Sequence, residues 1–456
     1  MKLDQLFESA KNVLQGNWNG NFTIPSPTLY PHQWSWDSAF IAIGNSYSNT
    51  ERAIKEIEFL FDAQWTNGMV PHIVFNDKEK TYFPAADFYE ITRSPYAPKH
   101  IGTSGMTQPP MHAIACYYIY YNDTDSQKTK SKQFLRNIYF KLKLFHKYLM
   151  TDRDPEKSGL VTILHPWESG LDDAPVWDHA LSKIKIEHVL KFQRLDVVAV
   201  DGAKNTIPSD DMYNKFIYMI ELMKQFNYDE KRMYENFPFK IKAVIFSSIL
   251  YIANKYLIKI AEIIEEKDTE EIREWITRCE KNFYKYFFPT GQKLEQKEDG
   301  LFYNYDIISK DWIQKKTISS LVPIYTGLIP NEQIPSFLKW ILRWSGTEGK
   351  SHTAALPSVD VQEPYFKEFT YWRGPVWVNT NWMIYLGLLK YGQIDAAERI
   401  KQGILELVSN HGFREYYDAY TGEGLGGKSF SWTASLVMDM IKNTGIGIPS
   451  TGGRYK

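Results

Sequence analysis

Several features that mark common protein classes are scarce in this sequence of 456 residues. Its two cysteines, Cys116 and Cys279, lie in apolar stretches with helical spacing, so they form neither a disulfide framework nor a zinc-binding set. The ten histidines are scattered and show no HExxH motif. These absences predict a protein without a bound metal and without a cofactor.

An excess of charge of one sign is also missing. Lysine and arginine number 53 and aspartate and glutamate 54, which offers no general attraction to nucleic acid or to an anionic membrane. No run is long and apolar enough to predict a membrane span, and MKLDQLFESAKNVL at residues 1–14 alternates apolar and charged positions, unlike a secretory signal. We expect a cytoplasmic protein that acts on a small molecule; whether it forms homo-oligomers is left open.

Aromatic residues are abundant instead, with 14 Trp, 30 Tyr and 26 Phe. Most aromatic side chains belong to a core, but several tryptophans cluster in loops rich in proline and glycine, where packing does not require them. Flat rings in a cleft lined by loops suit the C–H faces of a sugar. The composition therefore favours a sugar-binding cleft.

Helical periodicity dominates the chain. Segments that are apolar around most of their circumference alternate with charged, amphipathic segments, which is the pattern of an inner and an outer ring of helices. The pattern predicts an all-α fold, an (α/α)6 toroid that occupies residues 1–456 as one domain with long loops at one end. The inner helices are predicted to start at 37, 107, 241, 317, 376 and 430, the outer helices at 3, 50, 129, 268, 331 and 394, and one hairpin is predicted at 301–314.

The stretch HPWESGLDDAP, from His165 to Pro175, is the first functional candidate. Its prolines and glycine exclude a regular helix, and carboxylates that share a loop with a tryptophan raise one another's pKa when water is removed. The alternative is that Glu168 and Asp173 brace the loop while Asp172 lies in solvent.

Four other unusual loops lie just before, or at the start of, a predicted inner helix. In a ring of antiparallel helical hairpins the N-termini of all inner helices open at one end, so these loops are expected to meet there. They are QWSWD (33–37), TQPP (107–110), YWRGPVW (371–377) and GGKSFSW (426–432).

Several residues in and near these loops have two interpretations. Asp37 is either a helix N-cap or a carboxylate that binds sugar hydroxyls, with Trp34 and Trp36 as core anchors or as cleft walls. His72 is either a buried histidine or a hydrogen-bonding group for substrate. The density of polar and aromatic groups in YWRGPVW, where Gly374 and Pro375 form a turn into a helix, favours a pocket.

The segment 412–432 contains Glu415 and a formal GxGxxG at Gly422, Gly424 and Gly427. No buried strand is predicted before these glycines and the chain shows no βαβ alternation, so they are interpreted as tight-turn residues and not as a dinucleotide site. The arginine beside Glu415 predicts an ionised carboxylate, which suits a general base. With Asp172 as the acid, Glu415 completes the two separated carboxylates of inverting glycoside hydrolysis.

Five of these motifs, in this order and spread over most of the chain, resemble glycoside hydrolase family 63, and most closely its compact single-domain members. They are QWSWD, TQPP, WESGLDD, YWRGPVW and EYYDAYTGEGLGG followed by FSWTA. The resemblance implies an (α/α)6 barrel, inversion at the anomeric carbon and no catalytic metal. It also implies hydrolysis of a small α-glucoside or α-mannoside, with a glycosylglycerate (mannosylglycerate or glucosylglycerate) as the leading substrate.

By this resemblance Asp172 is the general acid, Glu415 is the general base, and Asp37 holds the sugar in the minus-one subsite. Together with His72 and Gly374 from the motifs, the expected substrate-binding residues are Tyr30, Trp34, Trp36, Tyr82, Gln108, Tyr371, Trp372 and Trp377.

Two positions depart from the family pattern. Asp173 stands where an asparagine is usual, and its charge is expected to raise the pKa of Asp172. The compact members carry Arg-Pro-Thr-Asp after the acid motif, whereas residues 207–210 read Ile-Pro-Ser-Asp. This change weakens the glycerate assignment unless another cation compensates, the candidates being Arg194, Lys204 and Lys80.

Other functions are compatible with the same motifs. The nearest is a trehalase-like or oligosaccharide α-glucosidase, and a different class is a non-catalytic sugar-binding toroid, against which the presence of both Asp172 and Glu415 argues. A polysaccharide lyase would need a tyrosine or histidine base. In the hydrolase interpretation the connections 76–106 and 178–207 are expected to close over the substrate.

Overall fold

The computed structural model describes residues 2–79, 82–187, 208–289, 300–347 and 353–443. These residues fold mainly into helices. In chain order the α-helices are α1 (Leu3–Gly16), α2 (Ser35–Ser46), α3 (Thr50–Asp62), α4 (Ala86–Tyr89), α5 (His112–Asn122), α6 (Thr129–Thr151), α7 (Asp178–Ser182), α8 (Asp210–Gln225), α9 (Glu230–Asn236), α10 (Val244–Ile264), α11 (Glu270–Phe287), α12 (Ile334–Leu342), α13 (Val378–Lys390), α14 (Ile394–His411) and α15 (Ser431–Lys442).

One predicted inner helix, at 317–327, is wrong. This segment forms two short 3-10 helices, Ile318–Ser320 and Val322–Thr326. Pro323 supplies no backbone N–H, and Gly327 ends the segment with a φ of 76°, which a helix does not allow. The chain therefore forms the tighter turns of a 3-10 helix here instead of an α-helix.

Two other inner helices start later than predicted. The helix expected from 107 begins only at His112, because Pro109 and Pro110 precede it. The helix expected from 241 begins at Val244, since residues 241 and 242 form a strand. The short helices α4, α7 and α9 were not predicted, because fewer than two turns carry too little periodicity to recognise.

Contacts between the long helices form a closed cycle within the described residues. Helix α2 contacts α5, α5 contacts α10, and α10 contacts the 3-10 helix Val322–Thr326. That segment contacts α13, α13 contacts α15, and α15 returns to α2. A second helix packs on most members of the cycle: α3 on α2, α6 on α5, α11 on α10, α14 on α13 and α1 on α15.

The two sets of helices differ in burial as the sequence pattern predicts. Every residue of α2 is buried, so this helix meets protein on all sides. In α11, by contrast, the buried residues recur every three or four positions, at Ile272, Trp275, Cys279, Phe283 and Phe287, and form one face. The cycle members are thus inner helices and their partners are outer helices.

The prediction that no run is long and apolar enough to span a membrane is wrong by length and composition alone, because helix α10 meets both criteria. Within the protein, 89% of its most apolar window is buried. It packs between α5, α6 and α11. Its hydrophobicity is therefore accounted for by its place in the core.

Short antiparallel strands connect the helices near the functional residues. They form three sheets. The first pairs β1 (Gln33–Trp34) with β2 (Ile73–Val74), and the third is a hairpin of β7 (Arg414–Tyr417) and β8 (Gly424–Lys428). The second has four strands, in the order β3 (Thr162–Ile163), β4 (Ile241–Lys242), β5 (Asn304–Asp306) and β6 (Asp311–Ile313). The predicted hairpin at 301–314 is confirmed as β5–β6. The hairpin β7–β8 was not predicted.

Candidate active site

A cavity of about 480 Å³ opens among the loops that precede the inner helices. The loop before α2 supplies Trp34, the loop before α5 supplies Gln108, and the loop before α13 supplies Tyr371 and Trp372. Phe430 comes from the start of α15. The structure thus brings the four loops to one place, as the ring arrangement predicts.

The acid loop, residues 165–175, reaches the same cavity. It contains the 3-10 turn Pro166–Ser169, leads into a second one, Pro175–Trp177, and has no regular α-helix, as its prolines predict. Gly170 has a φ of 74°, and a side chain there would overlap the indole of Trp36, so only glycine allows the loop to close on α2. Trp167, Gly170 and Asp172 line the cavity.

Glu415 lies on β7 and is almost fully buried at the cavity. Its Oε1 accepts hydrogen bonds from the hydroxyls of Tyr30 (2.8 Å) and Tyr371 (3.2 Å), and its Oε2 accepts one from the N–H of Gly427 (2.8 Å). Burial raises the pKa of Glu415 to about 7, while the three donors oppose the rise because they stabilise the ionised form.

The effect of Arg414 on Glu415 is smaller than expected. Its charge lowers the pKa of Glu415 less than any of the three hydrogen bonds does, and its guanidinium donates to the carbonyl of Gly424 (2.8 Å). Burial outweighs it, and the pKa of Glu415 is raised. The carboxylate is therefore held in place by the tyrosines and Gly427, and the adjacent arginine holds the hairpin.

Asp172 faces the cavity from the acid loop. Burial raises its pKa well above the usual value, and the charges of Asp173, Glu415 and Asp37 raise it further. Among these three charges the effect of Asp173 is the largest, in the direction that the sequence predicts. In the pair formed by Asp172 and Glu415, both pKa values are raised by burial, and Asp172 is the one whose pKa neighbouring carboxylates raise further.

The other acidic residues of the acid loop brace it. Glu168 is fully buried, pairs with the guanidinium of Arg153 (2.8 Å) and accepts a hydrogen bond from the N–H of Leu164 (2.7 Å). Asp173 accepts a hydrogen bond from the N–H of Trp372 (2.9 Å). The bracing interpretation therefore holds for these two residues, whereas Asp172 lines the cavity instead of lying in open solvent.

Asp37 is a cavity residue and not the N-cap of α2. The helix begins at Ser35 with Trp34 as its N-cap, so Asp37 lies in the first helical turn. Burial raises its pKa, and the charge of Glu415 adds to the rise. Gln108 also lines the cavity, and its carbonyl oxygen accepts a hydrogen bond from the N–H of Trp36 (3.2 Å).

Aromatic rings form most of the remaining wall. Trp34 packs edge-on against Tyr30 and Tyr82, with ring centroids 5.1 and 5.5 Å away. His72 stacks on Trp167 at 6.1 Å, and its buried Nδ1 has no hydrogen-bond partner in the described part of the chain. Burial lowers the pKa of His72 to about 3, so it is a neutral lining residue.

Two expected substrate-binding residues do not line the cavity. Trp377 stacks behind Trp372, with centroids 3.8 Å apart and planes 7° from parallel, and is completely buried. Gly374 packs against the backbone of Lys367. Both support the wall from behind, because the chain turns away from the cavity after Trp372. Tyr30, Trp34, Trp36, Tyr82, Gln108, Tyr371 and Trp372 all line it.

Several lining residues were not singled out from the sequence. Tyr213 comes from α8, and its hydroxyl donates to the carbonyl of Phe83 (3.3 Å). Glu79 lies at the exposed side of the cavity. Phe430 and Trp432 belong to the GGKSFSW loop, whose aromatic residues could have identified them as lining residues. The sequence around Tyr213 and Glu79 has no comparable feature.

The candidate cations of the glycerate assignment, Arg194, Lys204 and Lys80, lie outside the described residues, as does Ile207. Most of the connection 178–207 also lies outside them. Among the described residues, no group of three or more His, Cys, Asp or Glu side chains is arranged to hold a metal ion.

Two carboxyl groups with raised pKa values, Asp172 and Glu415, line one cavity among tryptophans and tyrosines, which is the arrangement that glycoside hydrolysis uses. Residues 30–433 match the family model for the mannosylglycerate hydrolase MGH1-like glycoside hydrolase domain. The chain belongs to this family.

Relatives of known name cover nearly the whole chain. A mannosylglycerate hydrolase of Thermus thermophilus is 38% identical over 94% of this chain and 99% of its own length. A glucosylglycerate hydrolase of Mycolicibacterium hassiacum is 33% identical over 96% of this chain and 98% of its own length. The crystal structure of a family 63 mannosylglycerate hydrolase from Thermus thermophilus, in complex with Tris and D-glycerate, superposes with a TM-score of 0.87 at 38% identity, over 95% of this chain and 99% of that one.

Proposed function

We propose that this enzyme hydrolyses a small α-mannoside or α-glucoside of glycerate with inversion at the anomeric carbon. The observation that carries the proposal is the contrast between Asp172 and Glu415 in one cavity: the first is surrounded by carboxylates that retain its proton, and the second accepts three hydrogen bonds that favour its ionised form. The names of the relatives support glycerate as the second unit.

In the proposed reaction Asp172 donates its proton to the glycosidic oxygen as the bond to the anomeric carbon breaks. Glu415 removes a proton from a water molecule that attacks that carbon from the opposite face. Asp37 and Gln108 bind sugar hydroxyls, and Trp34, Trp36 and Trp372 bind the C–H faces of the ring. His72, which is neutral, offers a hydrogen bond without a charge.

Proton NMR of the first-formed sugar tests the mechanism. With α-mannosylglycerate or α-glucosylglycerate as substrate we expect the β-anomer to appear first; release of the α-anomer first would contradict inversion. Asp172→Asn and Glu415→Gln should each lower kcat by about a hundredfold or more without loss of fold. Glu423→Gln, which removes an exposed carboxylate of the β7–β8 turn, is the matched control.

A second candidate is an α-glucosidase for an uncharged disaccharide such as trehalose. It is favoured by the charges of the cavity lining, which in the described part of the chain includes Asp37, Glu79, Asp172 and Glu415 but no lysine or arginine. Comparing kcat/KM for glycosylglycerates, trehalose and other α-linked disaccharides separates the two candidates. A higher value for trehalose would overturn the glycerate proposal and leave the catalytic pair in place.

We also propose that the closed cycle of inner segments and its outer partners are an (α/α)6 toroid and that residues 1–456 form one catalytic domain. A main apolar core that includes residues from Leu6 to Met440 supports this, and a second, smaller cluster lies among α1, α2 and α15. A cytoplasmic location is supported by the two cysteines, both free and buried. Cell fractionation tests the location, and sedimentation analysis tests whether the enzyme forms homo-oligomers.

A further inference from the structure

The residue after the proposed acid carries a second, differently placed carboxylate. Asp173 is fully buried, and its Oδ1 accepts the hydrogen bond from the N–H of Trp372 (2.9 Å). Its Oδ2 is buried without a hydrogen-bond partner among the described residues. A fixed carboxylate with one unsatisfied oxygen thus lies directly beside Asp172.

Arg373 faces this carboxylate but makes no hydrogen bond to it. The Nε of Arg373 lies 3.8 Å from Oδ2 of Asp173, which is too far for a hydrogen bond. Both terminal nitrogens of Arg373 donate instead to Asp178, in a two-pronged ion pair at the edge of the site. Arg373 is therefore shared between two carboxylates: it is hydrogen-bonded to Asp178 and makes a longer ionic contact with Asp173.

The other charged and titratable groups around the two aspartates increase the imbalance. Glu415 from β7, Asp37 from α2 and Tyr371 face Asp172, while Arg373 and Asp178 face Asp173. Only one of these groups is a cation. The charges of Glu415 and Asp37, like that of Asp173, make ionisation of Asp172 less favourable.

We propose that Asp173 is a positioning residue for the reaction: its buried, backbone-anchored carboxylate holds the proton on Asp172 through electrostatic repulsion. The proposal rests on the assignment of Asp172 as general acid. An asparagine at this position, which the family resemblance gives as usual, would keep the hydrogen bond to Trp372 and lose the charge. The aspartate thus extends the working range of the acid to higher pH.

The titration of Asp173 itself is compatible with this role. Burial raises its pKa to about 6, against the opposing effects of Arg373 and the Trp372 N–H. Asp173 is therefore ionised above about pH 6, in the range where Asp172 must still hold its proton. Its charge is the largest influence on the pKa of Asp172 after burial.

The test is the pH profile of kcat/KM for Asp173→Asn, with Glu423→Gln as a control that removes an exposed carboxylate. The alkaline limb reports deprotonation of Asp172 and should move to lower pH by about one unit, so that activity above the limb falls roughly tenfold. The acid limb, which reports Glu415, should stay in place. An unmoved alkaline limb, or an equal loss at every pH, would overturn the proposal.

Two further measurements separate the possible failures. If Asp172→Asn remains active, the proposed catalytic pair is wrong; if it is inactive while Asp173→Asn leaves the alkaline limb unmoved, only the role of Asp173 is wrong. Circular dichroism and Tm establish that each variant folds. Should Asp173→Asn not fold, Asp173→Ser keeps a hydroxyl near the N–H of Trp372, removes the charge and predicts the same shift.

Discussion

At the scale of single residues, the tyrosines around Glu415 are as important as the carboxylate itself. Tyr30 donates to Glu415 at 2.8 Å, and its hydroxyl lies 3.3 Å from that of Tyr371, so the two rings form a small hydrogen-bonded group with the base. Because donors stabilise the ionised form, they limit the rise in pKa that burial causes. The tyrosines keep the base usable near neutral pH.

Tyr30→Phe removes the shortest tyrosine hydrogen bond to Glu415 and should raise the pKa of the base above about 7. We expect the acid limb of the kcat/KM profile to move to higher pH by roughly half a unit to one unit, with a greater loss at pH 6 than at pH 8. Tyr417→Phe is the control, since this buried tyrosine of the same hairpin donates to Gly412 and not to Glu415. A shift of equal size in the control would contradict the explanation.

At the scale of elements, the hairpin β7–β8 positions the base. Gly426 has a φ of 64°, and a side chain there would overlap Oε2 of Glu415. The adjacent Gly427 donates its N–H to that oxygen. Glycines that the sequence pattern predicted as turn residues thus belong in part to a strand, which can approach the carboxylate only without side chains.

Gly426→Ala should therefore displace Glu415 and lower kcat by at least about tenfold. Gly412→Ala is the matched control: Gly412 also has a positive φ, of 75°, but a side chain there would meet nothing within 4 Å. Both variants carry backbone strain, so both should lose stability in thermal denaturation. Equal activity of the two variants would show that strain, and not contact with Glu415, governs the effect.

At the scale of the whole molecule, folding buries several acidic side chains. Another such residue, Glu56 on α3, is completely buried and accepts hydrogen bonds from Thr23, Gln33 and Ser38. Burial nevertheless raises its pKa from 4.5 to about 7. Several buried carboxyl groups of this protein therefore bind protons more tightly in the folded chain than in the unfolded chain.

The raised pKa of Glu56 predicts that its own contribution to the unfolding free energy decreases as the pH rises from 4.5 to 7. The raised pKa of Glu56 means that the folded chain keeps a proton that the unfolded chain releases near pH 4.5, so its stabilising contribution is present below that pH and lost as the pH approaches 7. Denaturant unfolding of wild type and Glu56→Gln should give a difference in unfolding free energy that changes by roughly 3 kcal/mol across this range. A difference independent of pH would contradict the prediction.

Much of the fold could be predicted from the sequence because its information is local. Apolar residues around most of the circumference of α10 and α13, and on one face of α11, identify inner and outer helices without knowledge of their neighbours. The α-helix predicted at 317–327 is the exception. There Pro323 and Gly327 interrupt the apolar run, yet the 3-10 helix still occupies its place in the cycle of contacts.

The sequence by itself determined which loops carry tryptophans and carboxylates, their order along the chain, and the family to which they belong. Only the tertiary structure decided which of those side chains face the cavity. Asp172 and Asp173 are adjacent, yet one lines the cavity and the other is buried against Trp372. Likewise Trp372 lines it and Trp377 supports it from behind. The reason is physical: burial, and with it the pKa of Asp172 and Glu415, depends on groups that lie far apart in the chain and meet only when the ring closes.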